Sequence, residues 1–342
     1  MVFGRDIGID LGTTSVLVST RGKGVILREP AVVAMDKITG RMLNVGMAAQ
    51  RMLGRTPGNI VAIRPMRDGA ISDYDMTERM LKELVRKTVS FSLLKPRIII
   101  SVSSGITEVE ERAVIDAGVA AGARKVYLME APLAAAIGAG LDITKPDGHM
   151  VIDIGGGTTD IAVLSISGIV ESVSLKSGGE TFDDALIKYI RRKHNVLIGE
   201  TTADELKKSI GCVFPRPETV AVEVKGRCLM TGLPRVVPVS STDTLEAFEE
   251  VTERIVDATH KLLENTPPEL VADISQNGIV LTGGLSLLWG FDKLIASRTS
   301  IATHTADDAD LCVANGLARA LGRVGDMTEG AINLARRKQM RN

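Results

Sequence analysis

Apolar residues fall in short runs separated by turn residues, and the stretches between those runs repeat apolar positions at helical spacing. RDIGIDL and SVLVST read as strands around a GTT turn, and GKGVILREPAVVAMD continues as strand. RMLNVG follows a turn at Thr39-Gly40. From Asp75 to about Ser90 the residues Met76, Met80, Leu81, Leu84 and Val85 mark one face of a helix. RIIISV is a buried strand, and TEVEERAVIDAGVAAG is a helix opened by Thr107 with Glu110 three residues on, a capping box. VYLM is a short strand, followed by PLAAAIGAG, a helix of small residues with proline in its first turn.

The pattern then restarts. MVIDI and DIAVLSI are strands around GGGTT, and GIVESVSL is a third. Helices are expected at about 180–194 and 202–210, strands at 219–225 and 235–240, and a long helix from about Thr244 to Glu264. GIVLT closes the series as a strand before a helix in LSLLWGFDKLIA. IDLGTTS (9–15) and IDIGGGTTD (152–160) are thus equivalent points of an internal duplication, which predicts two similar α/β halves rather than a solenoid. A length of 342 residues is more than one typical core holds.

The charge balance, 41 basic against 42 acidic residues spread along the chain, leaves no footprint for nucleic acid. Six Phe, three Tyr and one Trp are too few for a base-stacking surface. Cys212, Cys228 and Cys312 lack metal-ligand spacing and read as reduced thiols. The start, MVFGRDIGID, has no apolar segment of signal-peptide length, and the apolar runs are too short to span a bilayer, so a cytoplasmic chain is expected.

The chemistry lies in the turns. Each joins two strands and is rich in Gly and Thr, so bare N–H groups and hydroxyls can converge on one anion. Asp10 and Asp153 end the first strand of each pair. Two carboxylates would repel a polyphosphate unless a cation stood between them. Mg²⁺ fits, because it keeps its waters and binds through one or two carboxylates and phosphate oxygens. Either turn alone reads equally well as a tight hairpin; the matched pair points to phosphate. A third stretch, IVLTGGLSLLWGFD (279–292), is a strand–turn–helix where a ribose or ring could lie against backbone.

These residues resemble the actin-like ATPase superfamily, and within it the MreB/Mbl family of bacterial cell-shape filament proteins. DIGIDLGTTSVLV is similar to the first phosphate loop, DIGGGTTDIAVLS to the second and LTGGLSLLWGFD to the adenosine motif. The narrower likeness is in RTPGNIVAIRPMRDGAISDYDMTERML (55–81), VYLMEAPLAAAIGAGL (126–141), TGLPR (231–235) and ENTPPELVADI (264–274). The resemblance runs from Asp6 to about Leu321.

It implies an actin-like ATPase fold: two similar α/β domains, each split into two subdomains, around a nucleotide cleft. Subdomain IA would take residues 1–31, 66–142 and 316–342, and IB residues 32–65. IIA would take 143–178 and 244–315, and IIB 179–243. The resemblance implies ATP and Mg²⁺, with phosphate on Gly12, Thr13, Thr14, Gly155, Gly156, Gly157 and Thr158. Asp204, Glu205, Leu206 and Lys207 would flank the ribose and base, with Gly283, Gly284, Leu285, Ser286 and Leu287 on the other side of the adenosine. Apart from the resemblance, Asp204 and Lys207 read as a solvated i,i+3 pair. Asp10 and Asp153 would hold the metal through water and, with Thr158 and Asp160, form the catalytic group.

The chain also departs from the family pattern. Ala131 stands where the family has Glu before the proline, the acid lying one residue earlier at Glu130. Leu285 replaces a third glycine, and the first loop reads Gly12-Thr13-Thr14-Ser15. Weak hydrolysis is therefore expected. The implied partners are further copies of the chain in paired protofilaments, cell-wall synthesis proteins and the inner face of the plasma membrane. Phe91, Leu93 and Leu94 in SFSLLKPR would be a membrane-insertion loop, or else cap the core. A small-molecule kinase of the same fold is the rival.

Overall fold

The structure, a computed structural model, describes residues 6–88 and 95–323. β1 (Ile7–Leu11), β2 (Ser15–Thr20) and β3 (Gly24–Pro30) form an antiparallel meander. β4 (Val33–Asp36), β5 (Met42–Val45), α1 (Met47–Gln50) and β6 (Ile60–Ile63) make a small layer, and β7 (Met66–Arg67) and β8 (Ala70–Ile71) a two-stranded ribbon. α2 (Tyr74–Thr88), β9 (Arg97–Val102), α3 (Glu108–Ala120), β10 (Lys125–Glu130) and α4 (Ala131–Ala139) complete the first half.

β11 (His149–Ile154), β12 (Thr159–Ser165) and β13 (Gly168–Leu175) repeat the meander. α5 (Gly179–His194), β14 (Val196–Leu197), α6 (Glu200–Ile210), β15 (Ala221–Cys228) and β16 (Pro234–Ser240) follow. The second half closes with α7 (Ser241–Asn265), α8 (Pro268–Asn277), β17 (Ile279–Thr282), α9 (Phe291–Thr299), β18 (Thr303–Thr305) and α10 (Cys312–Ala320).

The duplication seen in the sequence is the plan of the molecule. One sheet is ordered β10-β9-β1-β2-β3 and the other β18-β17-β11-β12-β13. In each, the first strand pairs antiparallel with its hairpin partner and parallel with a strand that arrives from a distant helix. The outer faces bury separate apolar cores, one under α2 and α3 and one under α5, α6, α7 and α9. The inner faces share a third core that contains α4 and α10, with Ile99, Tyr127, Val151, Leu164 and Leu317. At the crossing of α4 and α10 a Cβ on Gly138 would lie 1.8 Å from the Cys312 carbonyl oxygen. One on Gly316 would lie 1.8 Å from that of Ala134, the same contact with the helices exchanged. The small-residue helix of the sequence is thus a backbone-to-backbone contact between the halves.

Local chemistry sets the boundaries. Thr107 and Glu110 cap α3 reciprocally, and Ser240 with Asp243 do the same for α7. Two expectations change. The strand expected through 22–36 breaks after Pro30, which has no N–H to carry a ladder onward. The helix expected in 285–296 is a single 3-10 turn at Gly284–Leu287, an extended step, and then α9, because Gly290 at φ 90° reverses the chain. The proposed insertion loop at Phe91, Leu93 and Leu94 lies outside the described residues. Among the described residues no helix is long and apolar enough to cross a membrane.

Candidate functional site

The two glycine turns close identically. The Gly12 amide donates to the Ser15 carbonyl at 3.1 Å, and the Gly155 amide to the Thr158 carbonyl at 2.8 Å. They face each other across the midline in direct contact. A Cβ on Gly156 would come within 2.2 Å of Thr14 Oγ1, and one on Gly157 within 2.3 Å of Thr13 Oγ1. In this state the glycines make room for the threonines of the opposite turn.

Behind each turn sits a carboxylate held by a hydroxyl. Ser101 Oγ donates to Asp10 at 2.7 Å, and Thr282 Oγ1 donates to Asp153 at 2.8 Å. Ser101 and Thr282 occupy matching places near the ends of β9 and β17, the parallel neighbours of β1 and β11. Burial pushes the Asp10 carboxyl up to about 6, against the Ser101 hydrogen bond. Burial likewise pushes Asp153 up to about 7, opposed by Thr282 and reinforced by the charges of Asp160 and Asp10. Asp160 pairs directly opposite Asp153 across the hairpin and accepts from Ser103 Oγ at 2.6 Å and the Ser104 amide at 3.0 Å. Burial raises its carboxyl too.

Asp10 and Asp153 both resist ionisation, a cost that a hard cation between them would relieve. Among the described residues no three His, Cys, Asp or Glu side chains are grouped so as to hold a metal ion directly. A water-mediated Mg²⁺ needs no such cage.

The N-terminus of α5 docks on the second turn. The Gly179 amide donates to the Gly155 carbonyl at 3.0 Å and the Glu180 amide to that of Gly156 at 2.8 Å. A Cβ on Gly178 would lie 2.7 Å from the Gly155 oxygen, so Gly178 permits this approach. Lys207 of α6 is buried here, 2.8 Å from Asp183, 3.3 Å from Asp204 and 3.0 Å from the Gly179 carbonyl. It is therefore no solvated i,i+3 pair; it ties α6 to the N-terminus of α5. Burial lifts Asp183 to about 6 against the pull of Lys207, whereas Lys208 and Lys207 hold Asp204 below its ordinary value despite burial. Leu206 points into the core and Glu205 into solvent, so the four residues of this helix do not share one face.

In the third motif Gly283 combines φ 85° with a crossing that would put a Cβ 2.4 Å from the Ile154 carbonyl oxygen. That glycine is required by the backbone of β11 passing against it. Gly284 is open, Ser286 is buried with its Oγ on the Gly283 carbonyl, Leu285 is core and Leu287 is 60 % exposed.

Ala131 is the first residue of α4. Glu130 is buried, and strand alternation puts it on the sheet face of Val126 and Leu128; Asp10 and Ser101 occupy the opposite face.

Sequence reading did not find Ser101, Thr282, Ser103 or Asp183; a hydroxyl near the end of an otherwise apolar strand was the available signal for the first two. It also missed the β7–β8 turn. The Gly69 amide there donates to Thr13 Oγ1 at 3.1 Å, and a Cβ on Gly69 would lie 2.6 Å from Thr158.

A model of the MreB/Mbl protein family matches residues 4–329. The cell shape-determining protein Mbl of Bacillus cereus is 47% identical over 332 residues, 97% of this chain and 100% of the relative. The cell shape-determining protein MreB of Escherichia coli K12 is 46% identical over 335 residues, 96% of each. The crystal structure of MreB 5 of Spiroplasma citri bound to AMPPNP superposes with a TM-score of 0.89 at 36% identity, covering 94% of this chain and 96% of that one. A MamK double helical filament gives 0.79 at 21% identity over 92% and 98%, a likeness of fold.

Proposed function

The chain belongs to the MreB/Mbl family, and from that premise we propose that it is an actin-like protein that binds Mg·ATP between its two turns and assembles into filaments. The observation that carries this reading is the pair of opposed turns, each backed by an aspartate on a hydroxyl, half-buried Asp10 on Ser101 and buried Asp153 on Thr282. The AMPPNP and ADP named for the Spiroplasma protein support a nucleotide in this cleft.

Gly12, Thr13 and Thr14 on one side, and Gly155, Gly156, Gly157 and Thr158 on the other, would hold phosphate oxygens through amides and hydroxyls. Asp10 and Asp153 would hold the waters of Mg²⁺. When bound, the nucleotide supplies a γ-phosphate whose cleavage can be timed against assembly. Because Thr13 and Thr14 now touch Gly157 and Gly156, a polyphosphate held by both turns requires the halves to part at that contact.

Hydrolysis is slow in this reading. A water aimed at the γ-phosphorus needs a positioned base. Ala131 offers a methyl group, and Glu130 is on the other sheet face. The four-subdomain division and the paired protofilaments are parts of the same proposal. So are docking on the inner face of the plasma membrane through Phe91, Leu93 and Leu94, and the organisation of cell-wall synthesis proteins. Titration with ATP, with and without Mg²⁺, tests its base: Asp153→Ala should weaken Mg-dependent binding at least tenfold, about 1.4 kcal/mol. Unchanged affinity rejects the assignment.

A further inference from the structure

Arg64 follows β6 and reaches out of the first half onto the second. Its Nε lies 3.3 Å from Glu180 Oε1 and its Nη1 2.9 Å from Glu200 Oε2. Glu180 and Glu200 sit in the first turns of α5 and α6. Both ends of this bridge are anchored. The carbonyl of the next residue, Pro65, accepts from the Ser72 and Asp73 amides at 2.9 and 3.1 Å and from Ser72 Oγ at 2.9 Å. That fixes the base of Arg64 to the start of α2. On the other side the Glu180 amide is bonded to Gly156 of the second turn, and the Lys207–Asp183 pair joins α5 to α6. A few residues past Arg64, Gly69 bonds to Thr13 and lies against Thr158. Residues 64–69 therefore form a strap over the contact between the two turns, pinned at one end by ion pairs and at the other by a backbone amide.

We propose that Arg64 is a clasp across the cleft, which holds the two halves closed and slows the passage of nucleotide in both directions. The inference rests on the reading that the cleft binds ATP, and it deepens that reading by naming what restrains opening. The chemistry favours a releasable clasp. The Arg64, Glu180 and Glu200 side chains are 27%, 30% and 66% exposed, so solvent screens the pairs and they can break and re-form. Asp68, Glu200 and Asp183 all raise the Glu180 carboxyl further above the ordinary carboxylate range, where burial already puts it, and Arg64 is the cation that opposes them. Without Arg64 these acids are left facing one another at the mouth of a site that must admit a polyphosphate.

The experiment is stopped-flow release of a fluorescent ATP analogue from Arg64→Gln, Glu200→Gln and the double variant. A parallel measurement follows amide hydrogen exchange of residues 66–71 in the nucleotide-free proteins. Arg64→Gln should release the analogue about two- to tenfold faster than wild type, the range expected for two screened ion pairs. Glu200→Gln should give part of that gain, and the double variant no more than Arg64→Gln alone. Wild-type release should quicken with salt, while Arg64→Gln should not. Exchange in 66–71 should rise in Arg64→Gln without nucleotide. Equal release rates, or effects of the two substitutions that multiply, overturn the clasp. If wild type binds no nucleotide, the reading beneath it fails, and the exchange data alone decide: unchanged protection of 66–71 overturns the clasp as well.

Discussion

Replacing Asp153 with asparagine should stabilise the nucleotide-free protein at alkaline pH and weaken its response to Mg·ATP at least tenfold. Asp153 is 8 % exposed, and its carboxyl is pushed from 3.8 to about 7 by burial first and by the charges of Asp160 and Asp10. A folded value above the unfolded one means that the group favours folding while it is protonated. That contribution is complete below pH about 4, is lost as the pH rises to about 7, and above that the buried charge opposes the fold. Roughly three pH units at about 1.4 kcal/mol each give about 4 kcal/mol. Asparagine keeps the oxygen that accepts from Thr282, while its new N–H groups need partners at a cost of about 1–3 kcal/mol. The expected net gain at pH 8 is about 1–3 kcal/mol, closing by pH 5 as the wild-type carboxyl becomes neutral. Urea unfolding of both proteins at the two pH values, with and without Mg·ATP, reads this directly. Mg·ATP should stabilise wild type and leave the variant at least tenfold less responsive in concentration. If the variant is less stable than wild type at pH 8, the buried Asp153 charge does not oppose the fold and is not held in reserve for a cation.

Ala131→Glu should raise single-turnover ATP hydrolysis at least tenfold without tightening binding, since positioned acid–base help is worth about 10²–10⁴ in rate; a wild type already as fast rejects the assignment of slow hydrolysis to Ala131. The triple serine variant of Phe91, Leu93 and Leu94 should stay folded yet stop cosedimenting with anionic vesicles, each side chain contributing about 1.5–3 kcal/mol when buried; continued binding, or unfolding, assigns these residues to the core. Gly316→Ala puts a methyl group 1.8 Å from the Ala134 carbonyl oxygen and should cost about 3 kcal/mol in urea unfolding, at the upper end of overpacking, whereas a loss below about 1 kcal/mol would show that α4 and α10 can part freely.

The fold was legible because both halves repeat one pattern, and the periodicity of β1–β2 and β11–β12 survives in the residues themselves. α8 and α10 were not anticipated as helices. α10 carries small residues where it meets α4, and at nine residues it is too short for its apolar periodicity to stand out in the sequence. In the site, Asp10 and Asp153 stood out because they end apolar strands before glycine. Their partners Ser101 and Thr282 did not, because parallel neighbours lie far apart in sequence and nothing local pairs residue 10 with residue 101. The same limit hid Lys207. Its near neighbour Asp204 is visible at i−3, but the closer contact is Asp183 on another helix. Glycine was legible as a need for close approach, though not as to what approaches: Gly283 yields to Ile154, and Gly156 to Thr14.

Electron microscopy of the purified protein on anionic lipid, with Mg·ATP and without nucleotide, bears most directly on the proposed function. Paired filaments lying on the lipid with Mg·ATP, and neither in its absence nor with Asp153→Ala, are the expected result. Protein that binds Mg·ATP yet stays monomeric, or filaments that form equally well without nucleotide, would contradict it.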